Sequence, residues 1–251
     1  MDDVLTALAE QQAELGAILD GLDAAAWGRP TRCEGWDIGD VVLHLAQTDE
    51  LATGSAEGRY EEVMAGLAAG LPPAGSVDDG VAAMVRRQRD MPPAAIHRRW
   101  VVSADALVTA LGTGDLSRRV QWVVGELSAR TLATTRIAET WIHTGDVADA
   151  LGIGLAGTDR LRLIARLAWR TLPYAFSSAG QQLEGPVAFR LTSPGGEAWE
   201  FLPDEPAVTT ISGPAWELCS VAGRRLPASA TSLRGEGPDA EAVLALVRTY
   251  A

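Results

Sequence analysis

From Ser128 to Gly152 the chain reads as one long helix, apolar on most sides but carrying a polar seam. Ile137, Ala138, Trp141, Ile142, Val147 and Leu151 supply the apolar surface. Ser128 suits an N-cap and Gly152 a C-terminal stop. Thr135, Glu139, His143 and Asp146 follow at steps of four, four and three, which stacks them on one face. A carboxylate buried on such a face is costly unless it is paired or holds a cation. The fold must therefore bring something to meet this seam.

A second phrase, Cys33 to Leu45, offers a partner. Asp37 is the expected N-cap of a helix running to about Leu51, on which Val41, His44, Thr48 and Leu51 share the inward stripe. The chain has three histidines, and two of them, His44 and His143, lie in these phrases. Two neutral imidazoles and one carboxylate (His44, His143 and Glu139) match a catalytic zinc site that keeps a coordination position open. The same donors suit Fe(II) or Ni(II). Three alternatives share the pattern: Glu139 as a general base beside a two-histidine metal, an exposed polar face, and a plain ion-pair seam with Arg136 or another arginine. Asp146 could be a fourth ligand, a cap-region acid, or the preferred choice, the group that orients His143 through its other nitrogen. His97, beside Arg98 and Arg99, reads as solvated surface. Cys33 reads as a small buried structural residue, with a thiol activated at a helix entrance as the alternative. Cys219 reads as core.

Helical spacing also covers residues 3–21 and 77–111, the latter restarted by Pro92-Pro93, while residues 54–76 suggest a short helix and a loop. Four principal helices predict an antiparallel bundle with its site built from inward side chains. The pattern then changes. Residues 159–176 look helical, Val187 to Thr192 alternates like a strand, and Ser193-Pro194-Gly195-Gly196 suits a type II turn into a returning strand at 198–202. Val208 to Ile211 suggests a third strand, and Gly213-Pro214 and Pro238 open two further helices. The expected fold class is α+β in two domains, residues 1–156 and 157–251.

Charge narrows the partners. The chain carries 21 basic and 33 acidic residues, a net charge of −12, with no basic stripe, so nucleic acid is not expected. No run of about 18 apolar residues suggests a membrane span. Met1-Asp2-Asp3-Val4-Leu5 lacks the character of a signal peptide. Two cysteines are too few for a disulfide framework. The expectation is a reduced, cytoplasmic protein, monomer or homodimer.

Gly35, Trp36, Asp40, His44 and Leu45, followed by Glu139-Thr140-Trp141-Ile142-His143-Thr144-Gly145-Asp146, resemble the two motifs of the mycothiol-dependent maleylpyruvate isomerase family, within the DinB-like superfamily. The resemblance implies an N-terminal DinB-like metal-binding four-helix bundle and a small C-terminal α+β domain similar to sterol carriers. It implies that His44, Glu139 and His143 bind a divalent metal, typically zinc among the zinc, nickel and iron that the donor set admits, and that mycothiol is a cosubstrate. In the isomerase the activated thiol adds to the cis double bond of maleylpyruvate, allows rotation, and is expelled to leave fumarylpyruvate. For this chain the corresponding expectation is isomerisation or S-transfer on a small electrophile, with Glu139 and Asp146 as catalytic carboxylates. Arg190, Arg224 and Arg225 are either a carboxylate clamp for substrate and cosubstrate or solvated surface. Two further readings are a thiol-independent metal-dependent isomerase, lyase, cyclase or hydrolase of a biosynthetic pathway, and a non-catalytic carrier of an apolar ligand.

Overall fold

The computed structural model describes residues 3–123 and 125–249. The chain divides into two compact units, Met1–Leu155 and Ala156–Ala251. In order, the first holds α1 (Asp3–Leu19), α2 (Ile38–Ala56), α3 (Tyr60–Ala68), α4 (Val77–Gln88), α5 (Pro93–Gly112), β1 (Arg119–Trp122), β2 (Gly125–Ser128) and α6 (Ala129–Leu151). Four of these, α1, α2, α5 and α6, form the bundle.

Side-chain contacts fix the directions of the bundle helices. Gln11 donates to Thr144 at 3.3 Å and Arg130 pairs with Asp3 at 3.0 Å, so α1 and α6 run the same way. Gln12 donates to the Ala104 carbonyl, and Gly112 sits by Leu5, so α5 runs against α1. His44 meets Glu139 while Asp49 meets Arg136, so α2 runs against α6. The bundle is thus antiparallel across α1/α5 and α2/α6 and parallel in its other two contacts. A parallel neighbour needs a long crossover. Residues 57–92, with α3 and α4, supply it.

The helix that carries His44 is fixed at its start. The Asp37 carboxylate accepts from the Asp40 N–H at 2.8 Å, and the Asp40 carboxylate accepts in return from the Asp37 N–H at 3.4 Å, which is a capping box. Arg89 then clamps Asp40, with Nε 3.3 Å from Oδ1. From there α2 continues to Ala56, past the stop expected near Leu51. Gly54 does not end it, because Val63 of α3 packs closely on that glycine. Val41, Val42, Leu43, Leu45 and Ala46 are all fully buried, so α2 is the central helix, enclosed on every side rather than along one stripe. Each such Val or Leu contributes about 1.5–3 kcal/mol by burial.

The start and stop of α6 match their sequence signals. Ser128 accepts from the Thr131 N–H at 3.1 Å, and Gly152 ends the helix in the left-handed conformation at φ 71°. The β1–β2 hairpin before it is an addition to the sequence reading; it pairs Val120 with Leu127 and buries Val120 and Trp122. His97 differs from expectation too. It lies partly buried on α5, tilted against Trp27 at 5.7 Å and stacked on Trp100 at 6.4 Å, because Trp100 sits one turn further along the same helix face.

The second unit contains α7 (Leu161–Arg170), α8 (Leu172–Ser178), β3 (Val187–Thr192), β4 (Ala198–Phe201), β5 (Thr209–Pro214), α9 (Ala215–Ala222), β6 (Arg234–Glu236) and α10 (Ala240–Leu246). Its sheet has the order β4-β3-β5-β6, with β3 antiparallel to β4 and parallel to β5. Phe189 and Ile211, paired across the parallel contact, anchor the core. The turn between β3 and β4 is not type II. Gly196, not Gly195, takes the positive φ (88°), and its N–H donates to the Ser193 carbonyl at 3.0 Å, the pattern of a type I turn closed by a left-handed residue. No helix among the described residues is long and apolar enough to cross a membrane.

Candidate metal centre

Antiparallel packing of α2 on α6 brings His44 level with Glu139 and His143. Both histidines are buried, and Glu139 is mostly so. One carboxylate oxygen, Glu139 Oε1, lies 2.9 Å from His44 Nε2 and 3.4 Å from His143 Nε2. All three donor atoms lie within 4.8 Å of one another. Around a tetrahedral ion with bonds of about 2.0–2.1 Å to N and O, neighbouring ligand atoms stand about 3.3 Å apart. The two measured spacings straddle that value, so the donor set fits a zinc-sized cation by both chemistry and size.

Behind the imidazoles stand the groups that orient them. His143 Nδ1 donates to Asp146 Oδ2 at 2.9 Å. Trp36 packs on His44 at 5.3 Å between ring centroids, and the two imidazoles meet edge to face at 5.0 Å. Cys33, expected as a buried structural residue, is instead partly exposed on the loop before α2, and its thiol donates to Asp146 Oδ2 at 3.3 Å. Arg32 from the same loop places Nε 3.8 Å from Asp146 Oδ1 and also pairs with Asp149. The Cys33–Asp146 contact joins residues 113 positions apart and has no local sequence signal.

The two imidazoles are electrostatically unlike. Burial pushes the pKa of His44 down; Glu139 offsets this only in part, and His143 adds to it. Burial works against charge on His143 too, but Asp146, Cys33 and Glu139 overcome it and hold its pKa well above the ordinary histidine value. For Glu139, burial is outweighed by hydrogen bonds from His143 and His44, which hold its carboxyl well below the usual range. An ionised carboxylate between two imidazoles is the state a cation needs.

Arg136 is not the partner of Glu139. It turns to Asp49 at 2.9 Å and to the Thr48 hydroxyl at 2.8 Å. Of the second-unit arginines, exposed Arg190 on β3 pairs with Glu200 at 3.5 Å, and Arg224, in a left-handed conformation at φ 59°, donates to the Ala245 carbonyl at 3.1 Å. Cys219 is fully buried, and burial pushes its thiol up.

A helical bundle with donors converging from α2 and α6, followed by an α+β unit, defines the class of two-part DinB-like proteins. Residues 8–148 match the model described as the mycothiol maleylpyruvate isomerase N-terminal domain. The chain belongs to that family. It is 33% identical over 248 residues to uncharacterized proteins of two Mycobacterium tuberculosis strains, CDC 1551 / Oshkosh and H37Rv, covering 97% of this chain and 93% of each relative. Its fold is similar to that of crystalline mycothiol-dependent maleylpyruvate isomerase, with a TM-score of 0.61 at 19% identity, covering 94% of this chain and 95% of that one. A histidine-to-alanine mutant of that enzyme gives a TM-score of 0.59 at 19% identity, covering 88% of each chain.

Proposed function

We propose that this protein is a metal-dependent enzyme in which His44, Glu139 and His143 hold a divalent ion, zinc by preference, at which a low-molecular-weight thiol attacks a small electrophile. Mycothiol is the thiol that the family name suggests. The observation that carries the reading is the single oxygen of Glu139 set 2.9 and 3.4 Å from two imidazole nitrogens, the spacing of ligands around one ion. When a divalent ion is bound, a coordinated thiol loses its proton at neutral pH and becomes the nucleophile. Addition to a conjugated cis double bond, rotation and expulsion of the thiolate make an isomerase; displacement of a leaving group makes an S-transferase.

The chain's own groups prepare that step. Glu139 and the imidazoles bind, and Asp146 keeps the proton of His143 on Nδ1 so that Nε2 presents its lone pair. Trp36 shields the His44 face from water. We assign Glu139 and Asp146 as the working carboxylates. Arg190 and Arg224 are the second unit's groups for a substrate carboxylate, supported by the exposure of their guanidinium groups. A chain with two cysteines, too few for a disulfide framework, fits a reducing cytoplasm.

Elemental analysis of untagged protein, followed by cobalt substitution, tests the reading. About one ion per chain and a visible spectrum that changes when mycothiol is added are expected. A cobalt spectrum indifferent to mycothiol overturns thiol dependence, and a chain that takes up no metal overturns the site.

A further inference from the structure

Asp146 is more than a prop for His143, because the Cys33 thiol converges on it as well. Cys33 Sγ, a nitrogen of His143 and an oxygen of Asp146 lie within 4.8 Å of one another. Cys33 Sγ to Asp146 Oδ2 is 3.3 Å, and His143 Nδ1 to the same oxygen is 2.9 Å. With a sulfur bond of about 2.3 Å and nitrogen or oxygen bonds of about 2.0–2.1 Å, a tetrahedral ion spaces such donors about 3.3–3.6 Å apart. Both measured spacings are a few tenths of an ångström shorter than these, so the set is compact enough for an ion and has only to open slightly, and its thiolate selects a softer metal.

We propose that Cys33, His143 and Asp146 form an alternative cation site, back to back with the His44–Glu139–His143 set and sharing His143. Charge supports it: a thiolate and a carboxylate balance a divalent ion fully, while Glu139 alone leaves one positive charge for substrate or thiol to meet. Arg32, with Nε 3.8 Å from Asp146 Oδ1, is also paired with Asp149, which offsets its charge. Coordination releases the Cys33 proton to solvent, which its partly exposed position allows.

The imidazole makes the two sites exclusive. A neutral ring has one N–H and one lone pair. An ion on Nε2 requires Nδ1–H, which donates to Asp146; an ion on Nδ1 requires Nε2–H, which donates to Glu139. Either tautomer finds a carboxylate already in place, at 2.9 Å on one side and 3.4 Å on the other. One ion can thus be held in the open set or withdrawn to the thiolate set. The inference rests on the proposed function only for the identity of the open set.

The test uses the full chain, stripped of metal and loaded with cobalt in the absence of any added thiol. Wild type is expected to take up one cobalt per chain and never two. His44→Ala, which breaks the open set, is expected to bind cobalt with a near-ultraviolet thiolate-to-cobalt band. That band is lost in His44→Ala/Cys33→Ser. Glu139→Gln keeps the side chain's shape and gives the same band without removing a buried ring. Two cobalts per wild-type chain, or folded His44→Ala and Glu139→Gln proteins with no cobalt or no thiolate band, overturn the alternative site while leaving the open set standing. A thiolate band already present in wild type supports the alternative site and overturns the proposed function's choice of ligands.

Discussion

Asp49 and Arg136 form an ion pair 2.9 Å long between α2 and α6, with both side chains almost wholly excluded from solvent. It lies one helical turn from Glu139. Burial pushes the Asp49 carboxyl up even against the attraction of Arg136, so desolvation exceeds the Coulombic gain. Arg136→Met, which strands the Asp49 charge, should cost about 3–5 kcal/mol, whereas Arg136→Met/Asp49→Leu should be near neutral. A raised native pKa means that the folded state binds the proton more readily than the unfolded one, so this group's contribution falls as pH rises through that range. The Arg136→Met loss should therefore shrink in acid. Urea denaturation of both variants at two pH values reads both effects, and equal losses in single and double variants would contradict the account.

Asp146 should matter to metal affinity more than to folding. Asp146→Asn keeps the shape but weakens the acceptor for His143 Nδ1–H, and an affinity loss of about 10–100-fold is expected. Competition against a chelator measures it. Unchanged affinity would leave Asp146 as packing alone.

The two cysteines should differ sharply. Cys33 is partly exposed, while Cys219 is fully buried with its thiol pushed up. A chromogenic disulfide reagent should titrate one thiol in native protein and two after unfolding, and Cys33→Ser should abolish the native reaction. Rapid reaction of Cys219 in the folded protein would contradict its placement.

Gly237 holds a latch in the second unit. Its φ is 103°, and a Cβ there would stand 2.1 Å from the Val208 carbonyl oxygen and 2.7 Å from the Thr209 Cα. Backbone cannot swing aside as a side chain can. Gly237→Ala should destabilise that unit by about 1–3 kcal/mol or more. Hydrogen exchange should show faster opening at β5 and β6, with the bundle helices unaffected.

What the sequence disclosed depended on how local each cause was. Capping at Asp37 and Ser128 and the stop at Gly152 are decided within a few residues, so both ends of α6 and the start of α2 could be read, whereas the end of α2 at Ala56 could not. The stacking of Glu139 and His143 follows from helix geometry alone. The β1–β2 hairpin escaped because its strands are four residues each and no Asn-Gly or Asp-Gly pair marks its turn. The parallel pairing of β3 with β5, the Arg136–Asp49 pair and the approach of Cys33 to Asp146 escaped for another reason: tertiary packing creates them, and no local pattern encodes it.

The parallel contact between α1 and α6 also bears on how the protein is made. The first helix of the bundle is complete at Leu19, but its neighbour begins only at Ala129. At typical synthesis rates of about 5–20 residues per second, the ribosome takes roughly 5–20 s to make what lies between. Until then the side of α1 that faces α6 has no final neighbour, although α5 is complete at Gly112, and His44 has been made without Glu139. The bundle can close only after α6 emerges from the exit tunnel, so chains halted before Leu151 should engage holdase chaperones and bind no zinc.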